Sequence, residues 1–255
     1  MNTTYLKQLA KYTFLAPAHN WLVAQFTGIE YCPPVGHVNF GSLRRLTPIS
    51  REFGFDRGMP IDRYYIEKFL SDHVADIRGH VLEIADNYYT EKFGGNQVIK
   101  SDVLNVEKAS SKVTIIGDLT NAEHIPLNTF DCIIITQTLH LIYDIKSALK
   151  TLYRILKPGG TLLVTFPGIS HISNADWGDS GSWCWNLTTV STQKLFEEVF
   201  PSKQVEIKAH GNVLAATCFL QGIATQELQK GELNYDDPDY EMLITIRALK
   251  TEVTL

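Results

Sequence analysis

Carboxylates recur through the middle of the chain at intervals that a sheet would bring to one edge. Glu83, Asp102 and Asp118 each fall in or close a short apolar run, and Thr136 with Gln137 closes another. Carboxylates and amides at such positions accept hydrogen bonds from hydroxyls and amines. In an open parallel sheet, the carboxyl ends of the strands are where ligands bind. The separation of Glu83 from Asp102 is close to the ~20 residues that separate the first turn from the ribose-binding acid in dinucleotide folds. Histidines supply a second kind of chemistry. His140 follows the fourth apolar run, and His171 follows the fifth with Asp176 nearby, so either histidine is placed to orient or deprotonate a hydroxyl. Trp177, Trp183 and Trp185 sit in the same polar segment and read as an apolar or sugar-stacking wall, or as a packed lid. Arg57, Arg63 and Tyr64 precede the first run, where they would fold over a ligand's carboxylate or form surface ion pairs.

These residues need elements to hold them. Short runs, apolar on both faces, predict strands over 80–85, 97–102, 112–117, 131–136 and 161–166. Residues 145–156 have the apolar period of an amphipathic helix, which Pro158-Gly159-Gly160 ends. Pro60 opens a helical stretch through Leu70. Further on, helices are predicted over 192–200 and 217–229, and strands over 205–208 and 242–247. Nearer the start, residues 4–15 predict a short helix stopped before Pro17. Strands alternating with helices predict an α/β fold. It is a doubly wound, mostly parallel, Rossmann-like sheet with helices on both faces and an insertion before the last strand. The predicted organisation is an N-terminal extension or cap over 1–59 and the main domain over 60–255. Within that domain, 168–190 is a lid or acceptor loop and 209–239 an insertion.

Composition removes several classes. The chain of 255 residues is 44% apolar and 20% charged, with a formal net charge of −5, which is neither disordered nor a basic nucleic-acid footprint. No apolar run approaches the ~20 residues that span a bilayer. Cys32, Cys132, Cys184 and Cys218 are scattered without a CxxC pair, so neither a metal centre nor a disulfide framework is predicted. The expectation is a cytoplasmic protein with no nucleic-acid or membrane partner; the sequence leaves its oligomeric state open.

From Phe130 to Pro167 the chain reads FDCIIITQTLHLIYDIKSALKTLYRILKPGGTLLVTFP. This segment resembles the class I S-adenosylmethionine-dependent methyltransferases: a fourth strand beginning at Phe-Asp, a helix, and a Leu-Lys-Pro-Gly-Gly turn into a fifth strand. The likeness covers roughly 60–208, with 240–250 as a closing strand. GFDRGMPIDRYYIEKFL, from Gly54 to Leu70, is also similar to bacterial methyltransferases that occur near glycosyltransferases.

The resemblance implies S-adenosylmethionine as cofactor, whose diol, amine and sulfonium are better served by acceptors than by cations. It implies Asp102 on the ribose, Asp118 and Leu119 at the adenine, and Gln137 along the methionine half. Glu83 would order the first turn, and Arg57 and Tyr64 would lie near the carboxylate. The family usually reads acid-x-Gly-x-Gly-x-Gly at that turn, where this chain has Glu83-Ile-Ala85-Asp-Asn87-Tyr-Tyr89. Ala85 is small and Asn87 tolerates left-handed dihedrals, whereas Tyr89 departs from the pattern. The implied reaction is in-line methyl transfer to oxygen on a small molecule, glycan or natural-product intermediate, with His140 or His171 as base. Two other readings remain open: a degenerate fold serving as a binding or scaffold module, and a nicotinamide-dependent oxidoreductase, for which the pyrophosphate-binding glycine turn is missing.

Overall fold

The computed structural model describes Trp21, Phe26 and residues 31–172 and 183–251. The helix predicted over 4–15, together with Asp176 and Trp177, lies outside the described residues. The chain forms two compact units, Met1–Leu46 and Thr47–Leu255. The described part of the first holds one 3-10 turn, Gly41–Leu43.

The second unit carries a seven-stranded sheet. Its strands are β1 (Gly79–Ile84), β2 (Val98–Asn105), β3 (Ile115–Ile116), β4 (Phe130–Thr136), β5 (Leu156–Pro167), β6 (Val205–His210) and β7 (Leu243–Leu249). They lie in the order β3-β2-β1-β4-β5-β7-β6. β7 is antiparallel to β5 and β6, and the other pairings are parallel. Five helices accompany them among the described residues: α1 (Ile61–Asp72), α2 (Ile145–Ile155), α3 (Thr189–Glu197), α4 (Val213–Leu220) and α5 (Lys230–Asn234).

The period-two pattern of β4 explains why both faces are covered. Ile133 and Ile135 pack with Leu149 and Leu152 of α2 and Phe196 of α3. Cys132 and Ile134 pack with Tyr65 and Ile66 of α1 and Phe219 of α4. All four strand residues are fully buried. A slip of one residue would exchange the two sets, so this register is strongly specified. The order of strands reverses between β1 and β4, which makes that crevice the topological switch point.

The boundaries differ from expectation where local chemistry outweighs pattern. β2 runs on to Asn105 because Val103 and Leu104 continue the apolar run, with Glu83 and Ile84 of β1 as partners. β3 keeps only two residues of the predicted 112–117. The Pro-Gly-Gly turn lies inside β5, which begins pairing at Leu156 and shifts register before Thr161. α3 starts at Thr189 because Thr188 and Ser191 form a capping box. The helix predicted over 217–229 is instead the end of α4 and a 3-10 turn at Thr225–Glu227, broken at Gly222, whose φ is 67°; α5 follows beyond that span.

Candidate active site

Beyond the carboxyl ends of β1, β2 and β4 lies a cleft of about 1160 Å³. Against it sits a smaller cavity of about 210 Å³, and Phe55, Arg63, Gln137 and Leu141 line both. Four described non-glycine residues have positive φ, and three of them line these spaces: Phe53 at 54°, Ala85 at 68° and Gln137 at 47°. Left-handed backbone costs an L-residue about 1–2 kcal/mol, and such strain clusters at functional sites.

Ala85 occupies the position where the resembling family carries its first glycine, and it adopts the glycine's conformation. Its N–H donates to the Leu104 carbonyl at 3.0 Å, tying the turn to β2. The left-handed residue is therefore Ala85, while Asn87 is not among those with positive φ. Replacing Ala85 by glycine removes the steric cost but adds backbone entropy to the unfolded chain. We expect Ala85→Gly to stabilise the protein by about 0.5–1 kcal/mol. Denaturant unfolding checks this, and a loss of stability would show that the turn carries no such strain.

Glu83 holds the same turn from beneath. Its carboxylate accepts from the N–H of Tyr89 at 3.1 Å, the N–H of Thr90 at 2.8 Å and the Thr90 hydroxyl at 2.7 Å. Burial pushes its pKa up to about 7 despite those three donors. Tyr89, the departure from the glycine pattern, is buried among Ile61, Tyr65 and Ile66. Arg63 Nη1 donates to its hydroxyl at 3.1 Å.

The cleft wall is acidic. Glu67, Glu83, Asp86, Asp118 and Asp144 line it, with Arg63 as the one lining cation among the described residues. Lys92 and Lys112 pair with Glu67 and Asp86 from outside that lining. Glu83, Asp118 and Asp144 form no salt bridge among the described residues. Gln137 Oε1 is buried and has no hydrogen-bond partner. Leu119 is buried beside Asp118, and both line the cleft.

Three predicted positions move away from the cleft. Asp102 is mid-strand, three places short of the end of β2. Its Oδ2 lies 2.6 Å from His80 Nε2 and accepts from Lys100 Nζ at 2.8 Å. Asn105 occupies the strand end instead and lines the cleft. A spacing of about 20 residues from Glu83 does not separate these two positions, and the apolar continuation through Val103-Leu104 was the available signal. Arg57 chelates the Glu227 carboxylate, with Nη2 2.7 Å from Oε2, and Tyr64 donates to Asn234 at 2.8 Å; neither lines the cleft. Arg63, one position before Tyr64, does.

His140 lines the smaller cavity and is 3% exposed, with Nδ1 buried and without a hydrogen-bond partner. Its ring lies 4.3 Å from that of Trp183, and burial lowers its pKa to about 4. An imidazole so depressed is neutral at pH 7 and a weak base. His171 lines neither space; it stacks on Phe53 at 3.9 Å. Trp185 donates to the carbonyls of Ile142 and Tyr143 rather than facing either space. Among the described residues no group of three or more His, Cys, Asp or Glu is placed to hold a metal ion, and no helix is long and apolar enough to cross a membrane.

Residues 78–164 match the family described as "Methyltransferase domain". They form a class I S-adenosylmethionine-dependent methyltransferase domain. The match begins one residue before β1 and ends inside β5, so it takes in the switch point and most of the cleft. Two relatives are similar over part of this domain. The "Ubiquinone/menaquinone biosynthesis C-methyltransferase UbiE" of Haemophilus ducreyi is 42% identical over 73 residues, covering 26% of this chain and 28% of its own. That of Pasteurella multocida is 34% identical over 117 residues, covering 38% and 44%. The chain thus spans less than half the length of these curated relatives. Among solved structures, a putative sarcosine dimethylglycine methyltransferase from Galdieria sulphuraria has a TM-score of 0.50 at 12% identity. It covers 74% of this chain and 86% of its own, a likeness of fold alone.

Proposed function

We propose that this methyltransferase domain is catalytically active, takes S-adenosylmethionine in the acidic cleft, and methylates an oxygen of a small hydroxyl-bearing molecule. The observation that carries the reading is the cleft wall at the switch point. Glu83, Asp118 and Asp144 form no salt bridge among the described residues, and Gln137 carries an acceptor without a partner among them. Such a wall favours a sulfonium and an ammonium and repels a pyrophosphate, which argues against the nicotinamide reading. A retained left-handed turn at Ala85 argues against the scaffold reading, since the backbone can still approach a ligand closely.

When bound, S-adenosylmethionine supplies an electrophilic methyl group. The chain's own residues divide the binding. Asn105 takes the ribose hydroxyls in place of Asp102. Asp118 and Leu119 face the adenine. Glu83 and Gln137 serve the amine, and Arg63, held by Tyr89, serves the carboxylate. His140 sits on the acceptor side; as a neutral imidazole it accepts the acceptor's hydroxyl hydrogen and fixes its direction, which is a positional role more than that of a strong base. The named relatives are C-methyltransferases, but the family match ends before Pro167, Ser170, Trp183 and Phe219, which line the smaller cavity.

Thermal unfolding tests the cofactor assignment. A ligand at 100 times its dissociation constant stabilises by about 2.7 kcal/mol, which is roughly 5–10 °C in Tm for a unit of this size. We expect S-adenosylhomocysteine to give such a rise, and NAD at equal concentration to give none. Absence of a rise at millimolar S-adenosylhomocysteine would return the scaffold reading to the front.

A further inference from the structure

The smaller cavity differs in chemistry from the cleft it adjoins. Phe53, Phe55, Trp183 and Phe219 wall it, arriving from the loop before α1, the segment before α3, and α4. Phe53 is held in a left-handed conformation, φ 54°, between His171 at 3.9 Å and Phe219 at 5.8 Å. A bulky residue with positive φ is a true outlier, so this wall is built against a local cost. Polar groups are few. Asp62 accepts from the Arg63 N–H at 2.8 Å, and Arg63 is engaged with Tyr89. Among the described residues that leaves His140 Nδ1 and Gln137 Oε1 as buried polar atoms of lining residues without hydrogen-bond partners.

We propose that this cavity seats the methyl acceptor, and that the acceptor presents a flat, apolar, single ring carrying a hydroxyl rather than a sugar. The proposal rests on the methyltransferase reading and narrows its substrate class. Size supports it: an engineered apolar cavity of about 150 Å³ holds benzene, and this one is about 210 Å³. One substituted ring fits, whereas a disaccharide does not. Chemistry supports it as well. A monosaccharide would bring several hydroxyls into an aromatic wall, each costing about 1–3 kcal/mol if left unpaired, against the single atom, His140 Nδ1, that stays unpartnered once Gln137 serves the cofactor. One hydroxyl has a partner in His140, Gln137 being engaged on the cofactor side, and the ring's faces have Phe53, Phe219 and Trp183.

The test measures binding without turnover. Phenol, toluene and methyl α-D-glucopyranoside are the probes, observed by saturation-transfer NMR with the full chain and saturating S-adenosylhomocysteine, whose own binding is followed by calorimetry. Phenol is expected to bind at least tenfold more tightly than the glucoside. Ser170→Trp, which fills the cavity from its rim, should weaken phenol at least fivefold and leave S-adenosylhomocysteine within twofold. His140→Leu should weaken phenol more than toluene. Two results would overturn the proposal while the cofactor reading stands: S-adenosylhomocysteine binds but phenol does not, or phenol is indifferent to Ser170→Trp in a folded variant. If S-adenosylhomocysteine fails to bind while phenol still responds to Ser170→Trp, the apolar ring site survives and the methyltransferase reading falls.

Discussion

Between pH 4.5 and 8 the stability of the protein relative to its Glu83→Gln variant should fall by about 2–3 kcal/mol. The Glu83 carboxyl has an ordinary value of 4.5, raised to about 7 in the folded state by burial. Below 4.5 it is protonated folded and unfolded, and burial carries no charge penalty. From 4.5 to 7 the unfolded chain ionises first, so rising pH pulls toward unfolding. Above 7 both states are charged and the penalty is complete. One pKa unit is 1.36 kcal/mol, which sets the size. His140 and His210, both lowered to about 4 by burial, act in the opposite sense as pH rises toward 6.5. They are present in both proteins and cancel in the difference. Urea unfolding at several pH values measures it; a flat difference would mean that Glu83 is ionised in the fold well below 7. Ligand affinity should move the other way. With Glu83 serving the cofactor's amine as proposed, wild-type binding should strengthen from pH 6 to 8 while that of Glu83→Gln stays weak and level.

Asp102→Ala should cost about 1–3 kcal/mol of stability and leave cofactor affinity unchanged. Asp102 is 6% exposed. Burial alone would raise its pKa, but hydrogen bonds from Lys100 and His80 hold it below the usual carboxylate range. Removing it strands a half-buried His80 beside Phe130, 4.7 Å away between ring centres. Asn105→Ala has the reverse signature. Its side chain accepts from the Val106 N–H at 2.7 Å at the mouth of the cleft, a modest local bond. Its loss should weaken S-adenosylhomocysteine about 5- to 10-fold, near 1–1.4 kcal/mol, with little change in unfolding. A stable Asp102→Ala with a weakened dissociation constant would put the ribose back on Asp102.

The contrast between these two residues illustrates what the sequence makes legible. β4 and the doubly wound alternation follow from apolar runs and their spacing, because two buried faces leave little freedom of register, whereas Pro-Gly-Gly, read as the end of a helix, lies inside β5. Strand ends are weaker signals. Asp102 is acidic and followed by apolar residues, so pattern alone ended β2 there, while pairing with Glu83 and Ile84 carries the strand to Asn105. Arg57 and Tyr64 lie off the cleft lining for a different reason: their partners, Glu227 and Asn234, lie far along the chain, and no local pattern reports them. The glycine-poor first turn was readable as a departure but not as a conformation. Only the backbone reveals that Ala85 takes the dihedral a glycine would. His140 meets the Trp183 ring, a contact distant in sequence, and the Cys184 and Trp185 N–H groups donate to the His140 carbonyl at 3.1 Å.

On the proposed function, the acid-lined switch-point cleft holds a sulfonium cofactor and not a dinucleotide. Isothermal titration of the full chain with S-adenosylhomocysteine, S-adenosylmethionine and NAD tests it most directly. Micromolar binding of the first two is expected, about −8 kcal/mol, with S-adenosylmethionine the more salt-sensitive because of its extra positive charge, and no heat with NAD. Binding of NAD at comparable affinity, or no heat from either sulfur ligand at millimolar concentration, would contradict it.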